Sequence, residues 1–292
     1  MIKGSIVALI TPMNEDQTIN YEKLGELIEF HIANKTDGIV ILGTTGEAST
    51  LEFDEEEKIV KYAIKKANKR IPIIVGSGSN CTKTAVDYTV KYANMGADAL
   101  LVITPYYNKT NETGMIKHFE AIANASPKPI IMYNVPGRTG CSISVHAVEV
   151  LSKHPNIIGI KEASGDLTYA GKIAHCLNDN FCMYSGNDDI VLPLMSLGAV
   201  GVISVWSNIM PRTVHDMVYN FLDGKFEEAR KTQIEYLDLI HGLFLETNPI
   251  PVKKAMNYLG YNVGPLRAPL DEMSEGKFKE LKIALEKMKG TL

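Results

Sequence analysis

Eight short runs dense in Val and Ile, separated by stretches of helical periodicity, constrain this chain more than any other feature. They fall at 6–12, 38–43, 72–78, 97–107, 129–136, 157–164, 181–187 and 201–207, with starts roughly 20 to 34 residues apart. Each is nearly continuous in apolar residues, as a parallel strand covered on both faces must be. The segments between them carry helix signals. Residues 54–57 read as a capping box ahead of Ile59, Val60, Ala63 and Ile64 on one face. Gly96 and Gly198 each follow a helical run and precede a strand, the place for a left-handed helix stop. Eight βα units in series, with no break in composition, favour an α/β fold closed as a (β/α)8 TIM barrel over an open doubly wound sheet. After Ser207 the pattern turns wholly helical, over 213–221, 225–244, 251–258 and 274–289, with Pro249-Ile250-Pro251 as punctuation. The expected organisation is a barrel over residues 1–224 and a C-terminal helical extension over 225–292.

Size and composition agree with that plan. The 292 residues accommodate one barrel of about 250 residues plus an appendage. At 45% hydrophobic and 22% charged, the chain can bury a large core. The net charge of −4, from 34 acids against 30 bases, argues against a nucleic-acid footprint. The basic stretch 61–70 alternates with Tyr62, Ala63, Ile64 and Ala67 at helical spacing and reads as the solvated side of a helix. No apolar run approaches the ~20 residues that span a bilayer. The stretch 6–10 is too short for a signal-peptide core. Cys81, Cys141, Cys176 and Cys182 form no Cys-x-x-Cys, and the seven histidines form no His-Glu-x-x-His. No metal or cofactor is expected, and the expected location is the reducing cytoplasm.

Barrel chemistry gathers on the loops that follow the strands. Read in order, those ends hold Gly43-Thr44-Thr45-Gly46-Glu47, Thr104-Pro105-Tyr106-Tyr107, Tyr133-Asn134-Val135-Pro136-Gly137-Arg138-Thr139-Gly140, Lys161, Ser185-Gly186-Asn187-Asp188 and Ile203-Ser204-Val205-Trp206. That set offers one amine nucleophile, several hydroxyls and one arginine, and no run of acids for a metal. It suits a carbonyl and a carboxylate. Lys161 stands within a β-branched strand, where burial disfavours the ammonium and pushes a lysine pKa down from about 10.4. A neutral amine in a pocket is what attack on a ketone requires. The plainer reading is a lysine that snorkels to water or pairs with Glu162. Period-two geometry puts Ile157, Gly159 and Lys161 on one face, with Gly159 leaving room beside the amine. Ile131 and Tyr133 share the corresponding face of the neighbouring strand, so Tyr133 and Lys161 fall in successive layers of one interior. Each feature has a bland counterpart: a tight turn at 43–47, a core tyrosine with a satisfied hydroxyl, a surface Arg138. Gly76-Ser77-Gly78 lacks the spacing of a phosphate loop.

Taken together, these motifs resemble the dihydrodipicolinate synthase family, within the pyruvate-dependent class I aldolases. The resemblance rests on Gly43-Thr44-Thr45-Gly46-Glu47, Tyr133 to Thr139, Gly159 to Ser164 and Asn248-Pro249-Ile250-Pro251-Val252-Lys253, and covers essentially the whole chain. It implies that Lys161 forms a Schiff base with pyruvate, whose enamine attacks L-aspartate-4-semialdehyde. Tyr133, Thr44 and Tyr107 would then relay protons. Thr45 would hold pyruvate's carboxylate beside backbone groups near Gly186 and Ile203, and Arg138 the carboxylate of the aldehyde. The resemblance further implies a homo-oligomer, commonly a dimer of dimers, with Tyr107 reaching into its neighbour. Some members are inhibited by L-lysine through a histidine and a glutamate. Glu56 and Thr84 stand at the corresponding positions, with Phe53, Asn80 and Tyr106 nearby, so weak or absent inhibition is expected. N-acetylneuraminate lyase and 2-keto-3-deoxy sugar-acid aldolases would share Lys161 and Tyr133 but are disfavoured by Thr45 and Arg138. A non-catalytic barrel is disfavoured by the full set Thr44, Tyr107, Tyr133 and Lys161.

Overall fold

In the computed structural model, which describes residues 2–288, eight parallel strands close into a barrel in sequence order. They are β1 (Gly4–Ala8), β2 (Gly38–Ile41), β3 (Ile73–Gly76), β4 (Ala99–Ile103), β5 (Ile130–Asn134), β6 (Ile157–Glu162), β7 (Cys182–Ser185) and β8 (Gly201–Ser204). Every expected run overlaps one. Most strands stop short of the expected end because the last residues of each run leave the ladder to form the βα loops. β1 also starts earlier, where Gly4 and Ser5 pair with Gly201 and Val202 to close the barrel.

Both faces of the sheet are buried, which explains the unbroken apolar runs. In β2, Val40 points into the barrel while Ile39 and Ile41 pack outward against helices. Ile6, Ile74, Leu101, Ile131, Tyr184 and Ile203 fill the interior from other strands. The Tyr184 hydroxyl donates to Ile2 O at 2.6 Å. A larger outer core joins strands to helices and includes Trp206, Phe119, Tyr92 and Phe181, all fully buried.

The helix over Phe53–Ala67 begins one residue before the expected box. Its first-turn carboxylate, Glu55, accepts from the N–H of Glu52 rather than from within 54–57. Gly96 and Gly198 adopt φ of +105° and +99°, as their position after a helix requires. Beyond β8 the chain is helical over Pro211–Leu222, Phe226–Glu235, Leu237–Gly242, Ile250–Tyr258 and Glu275–Lys287. The single helix expected over 225–244 is two, broken at Tyr236, which turns inward to pack against Trp206 with ring centres 5.2 Å apart and ring planes tilted by 36°. The end of the expected 274–289 helix lies outside the described residues. Among the described residues, no helix is long and apolar enough to cross a membrane.

Candidate active site

β6 carries the amine, and its local geometry departs from the expected alternation. Ile130 pairs with Ile157, but Ile131 pairs with Gly159, so Ile158 is an extra residue in a β-bulge. Ile157 therefore joins the outer core, Ile158 packs toward the interior, and only Gly159 and Lys161 share the inward face. Nor does Gly159 leave open space. A Cβ there would lie 2.6 Å from Cys182 O, so the glycine lets β7 approach closely.

Downstream of the bulge, register pairs Tyr133 with Lys161 and Lys161 with Tyr184. Lys161 is 6% exposed, and its Nζ lies 4.4 Å from the centre of the Tyr133 ring. Among the described residues, Nζ makes no hydrogen bond or salt bridge, and the Tyr133 hydroxyl has no partner. Pairing with Glu162 is ruled out by geometry. Glu162 faces the other side of β6, where its carboxylate accepts from Asn134 Nδ2 at 2.7 Å and Ser164 N at 2.6 Å. Burial pushes the Glu162 carboxyl up, against those donors. Asn134 also accepts from Ile143 N, so the residues next to Tyr133 and Lys161 in the chain are cross-linked behind the site.

The acid nearest the amine in effect is Asp188. It is fully buried and accepts from the N–H groups of Val205 and Trp206, each at 2.9 Å, which folds the loop after β8. Burial raises its pKa, while its hydrogen bonds and the charge of Lys161 pull it down. Sequence reasoning passed over this residue, although it closes the Ser185-Gly186-Asn187-Asp188 segment at the end of β7.

The other candidate residues spread around the same face. Thr44 is half-buried and Thr45 is buried in the loop after β2, between Leu42 and Glu47. Both flanking residues hold φ above +50°, a conformation that costs a non-glycine residue free energy and needs support from its surroundings. Gly186 donates its N–H to Glu162 O at 2.7 Å, and a Cβ on it would meet Ala163 Cβ at 2.4 Å. Ile203 is buried in β8 opposite Ile6. Arg138 is exposed on the short helix Pro136–Thr139 and donates to Asn248 O at 2.9 Å. Tyr107 stands apart from this cluster, 90% exposed at φ +69°.

What the sequence did not reveal is how the loop after β2 is held. Asn248 Nδ2 donates to Thr45 Oγ1 at 3.0 Å. Lys253, 1% exposed, donates to Glu47 Oε1 at 2.8 Å and to the carbonyls of Thr11 and Pro265. Glu47 Oε2 accepts from Arg267 N at 3.0 Å. Two residues of Gly43-Thr44-Thr45-Gly46-Glu47 thus lock onto two of Asn248-Pro249-Ile250-Pro251-Val252-Lys253. The only signal was that both motifs stood out.

Two clefts of about 640 and 680 Å³ open elsewhere, one beside Lys254 and Phe278, the other beside Lys153 and His175. Neither is lined by Lys161 or Tyr133, so chemistry rather than cleft size locates the site. Among the described residues, no cluster of His, Cys, Asp and Glu could hold a metal.

The sequence model of the dihydrodipicolinate synthetase family matches residues 1–288. The 4-hydroxy-tetrahydrodipicolinate synthase of Thermoanaerobacter sp. (strain X514) is 52% identical over 288 residues, covering 98% of this chain and 97% of the relative. Among solved structures, the chloride-inhibited dihydrodipicolinate synthase from Acinetobacter baumannii, complexed with pyruvate, is 42% identical with a TM-score of 0.95 over 98% of both chains. The enzyme from Cyanidioschyzon merolae, with lysine bound, is 38% identical with a TM-score of 0.94, over 98% of this chain and 97% of that one. The class is therefore that of the (β/α)8 lyases that work through a lysine Schiff base. Within it, this chain belongs to the dihydrodipicolinate synthetase family.

Proposed function

We propose that this enzyme condenses pyruvate with L-aspartate-4-semialdehyde, the step that opens diaminopimelate and lysine synthesis. The observation that carries the reading is the amine of Lys161, all but buried, without a hydrogen bond or salt bridge and set over the ring of Tyr133. Attack of that amine on the keto carbon of pyruvate forms the C–N bond and, with loss of water, a Schiff base. Loss of a methyl proton gives an enamine. Its carbon attacks the aldehyde, and the oxygen formed takes up a proton. The substrate's own amine then adds to the imine carbon, closes the ring and releases Lys161.

Tyr133, Thr44 and Tyr107 move the protons in this scheme. Thr45 binds pyruvate's carboxylate beside Gly186 and Ile203, and Arg138 binds that of the aldehyde, for which its planar fork is suited. The 90% exposure of Tyr107 supports a relay completed by a second copy of the chain, in a dimer of dimers located in the cytoplasm. The same reading treats residues 1–224 as the catalytic barrel and 225–292 as its extension, of which 289–292 lie outside the described residues.

Lysine control is read as weak or absent. Glu56 is engaged by the Tyr92 hydroxyl at 2.6 Å, and Thr84 supplies no carboxylate to meet an ammonium. A lysine titration with strong inhibition below a millimolar would overturn that part.

Borohydride reduction with pyruvate, followed by peptide mass analysis, tests the amine. A coupled assay with both substrates, the next reductase and NADPH tests the reaction. Trapping at Lys161 with brisk NADPH consumption is the expected result. Trapping without consumption would retain the enamine and reject the aldehyde named here.

A further inference from the structure

The geometry of the site depends on a residue outside the proposed proton relay and substrate contacts. Asn248 is 6% exposed and touches both carboxylate-binding side chains of the proposed reaction. Its side-chain Nδ2 donates to Thr45 Oγ1 at 3.0 Å, and its main-chain oxygen accepts from Arg138 Nη2 at 2.9 Å. We infer that Asn248 is a positioning residue that aims the Thr45 hydroxyl proton at pyruvate's carboxylate and parks Arg138 for the second substrate. This rests on the proposed function above.

Donor count fixes the part the Thr45 hydroxyl plays. An amide NH2 can only donate, so the oxygen of Thr45 must accept, and its single proton is left free. A hydroxyl held in that state is a committed donor, which is what an anionic carboxylate oxygen requires. Asn248 Oδ1, in turn, has no partner among the described residues. The support behind it is stiff. Pro249 follows Asn248, the helix Ile250–Tyr258 begins at once, and Lys253 in that helix is bound to Glu47 of the same loop as Thr45. Asn248 is thereby fixed against the loop it orients.

The two contacts are made by different parts of the residue, which makes the role separable. Any substitution keeps the main-chain oxygen that holds Arg138, whereas removal of the side chain releases only Thr45. In Asn248→Ala, the pyruvate concentration for half-maximal borohydride trapping should rise about tenfold. The KM for L-aspartate-4-semialdehyde should move less than about twofold, because its anchor remains. Placed on a Thr45→Val background, Asn248→Ala should shift pyruvate trapping by less than about twofold, since the group it acts through is gone. Asn248→Ser, measured in the same way, serves if the alanine variant does not fold. An unchanged half-saturation in Asn248→Ala, or the same shift with and without Thr45, overturns the inference and leaves the proposed function standing. So does an equal rise in both constants, which marks a general support. Failure of the unmodified enzyme to be trapped by pyruvate at all removes the proposed function, and this inference with it.

Discussion

Two buried lysines lie in this molecule under opposite conditions. Lys253 is 1% exposed and fully partnered, by the Glu47 carboxylate and the carbonyls of Thr11 and Pro265. Lys161 is 6% exposed and has none of these; its neighbour is the face of Tyr133. Burial lowers the pKa of Lys253, and the charge of Glu47 works against that shift. Partners tie an amine down. A lysine with a buried anion and two carbonyls is a structural cation, while one without them has no contact that holds it back from a bound carbonyl carbon. The same residue type thus serves as a brace at one place and, in the proposed reaction, as the nucleophile at the other.

The largest effect expected from this contrast is on rate. Lys161→Ala should lose activity by at least about 10³-fold and show no pyruvate adduct, with a melting temperature close to that of the unmodified enzyme. Loss of activity caused by unfolding would break the comparison. Lys253→Met should do the reverse and cost stability, about 3–5 kcal/mol in a urea titration, because the buried Glu47 carboxylate loses its cation. Glu47→Leu combined with Lys253→Met should recover most of that loss.

A third buried base calibrates the pair. His31 is fully buried with only Thr36 Oγ1 beside its Nδ1, and burial pushes its pKa down to about 3. The folded state then refuses a proton that the unfolded chain takes up below about 6.5. Stability is full above that pH and falls as acid is added, by on the order of 3 kcal/mol at pH 4. His31→Leu should flatten the decline between pH 6.5 and 4; an unaltered slope would show that the ring finds a partner when charged.

The smallest effect concerns Asp188. Burial raises its folded pKa above the ordinary 3.8, so the stability linked to it is full at low pH and lost as pH rises through the folded value. The Lys161 charge offsets part of that loss. Lys161→Met should therefore lower stability at pH 7 relative to pH 4 by roughly 0.5–1 kcal/mol, and adding Asp188→Asn should remove the difference.

The features legible in the sequence are those with a local cause. Eight strands could be read because Val and Ile recur in runs bounded by helix signals, and Lys161 because a charge interrupts such a run. The bulge at Ile158 could not, since Ile157 and Ile158 are equally apolar and either can face either core. The break at Tyr236 carries no Gly or Pro; it coincides with that ring packing against Trp206. Least legible were the contacts that barrel closure creates between distant residues. Thr45 and Asn248 are 203 positions apart, and Glu47 and Lys253 are 206. No periodicity spans such a gap. That Asn134 and Glu162 tie the backs of two site strands together was hidden for the same reason.

The grip of Lys253 on Glu47 also sets an order in time. A ribosome makes the loop at 43–47 early and the helix that secures it more than 200 residues later. Throughout that interval the growing chain already contains Thr44, Thr45, Tyr133, Arg138 and Lys161, yet the loop bearing the first two has no clamp. The amine that the proposed reaction uses is thereby kept from a finished pocket until nearly the whole polypeptide has emerged, and a product broken off before residue 253 would carry Lys161 without the clamp on that loop.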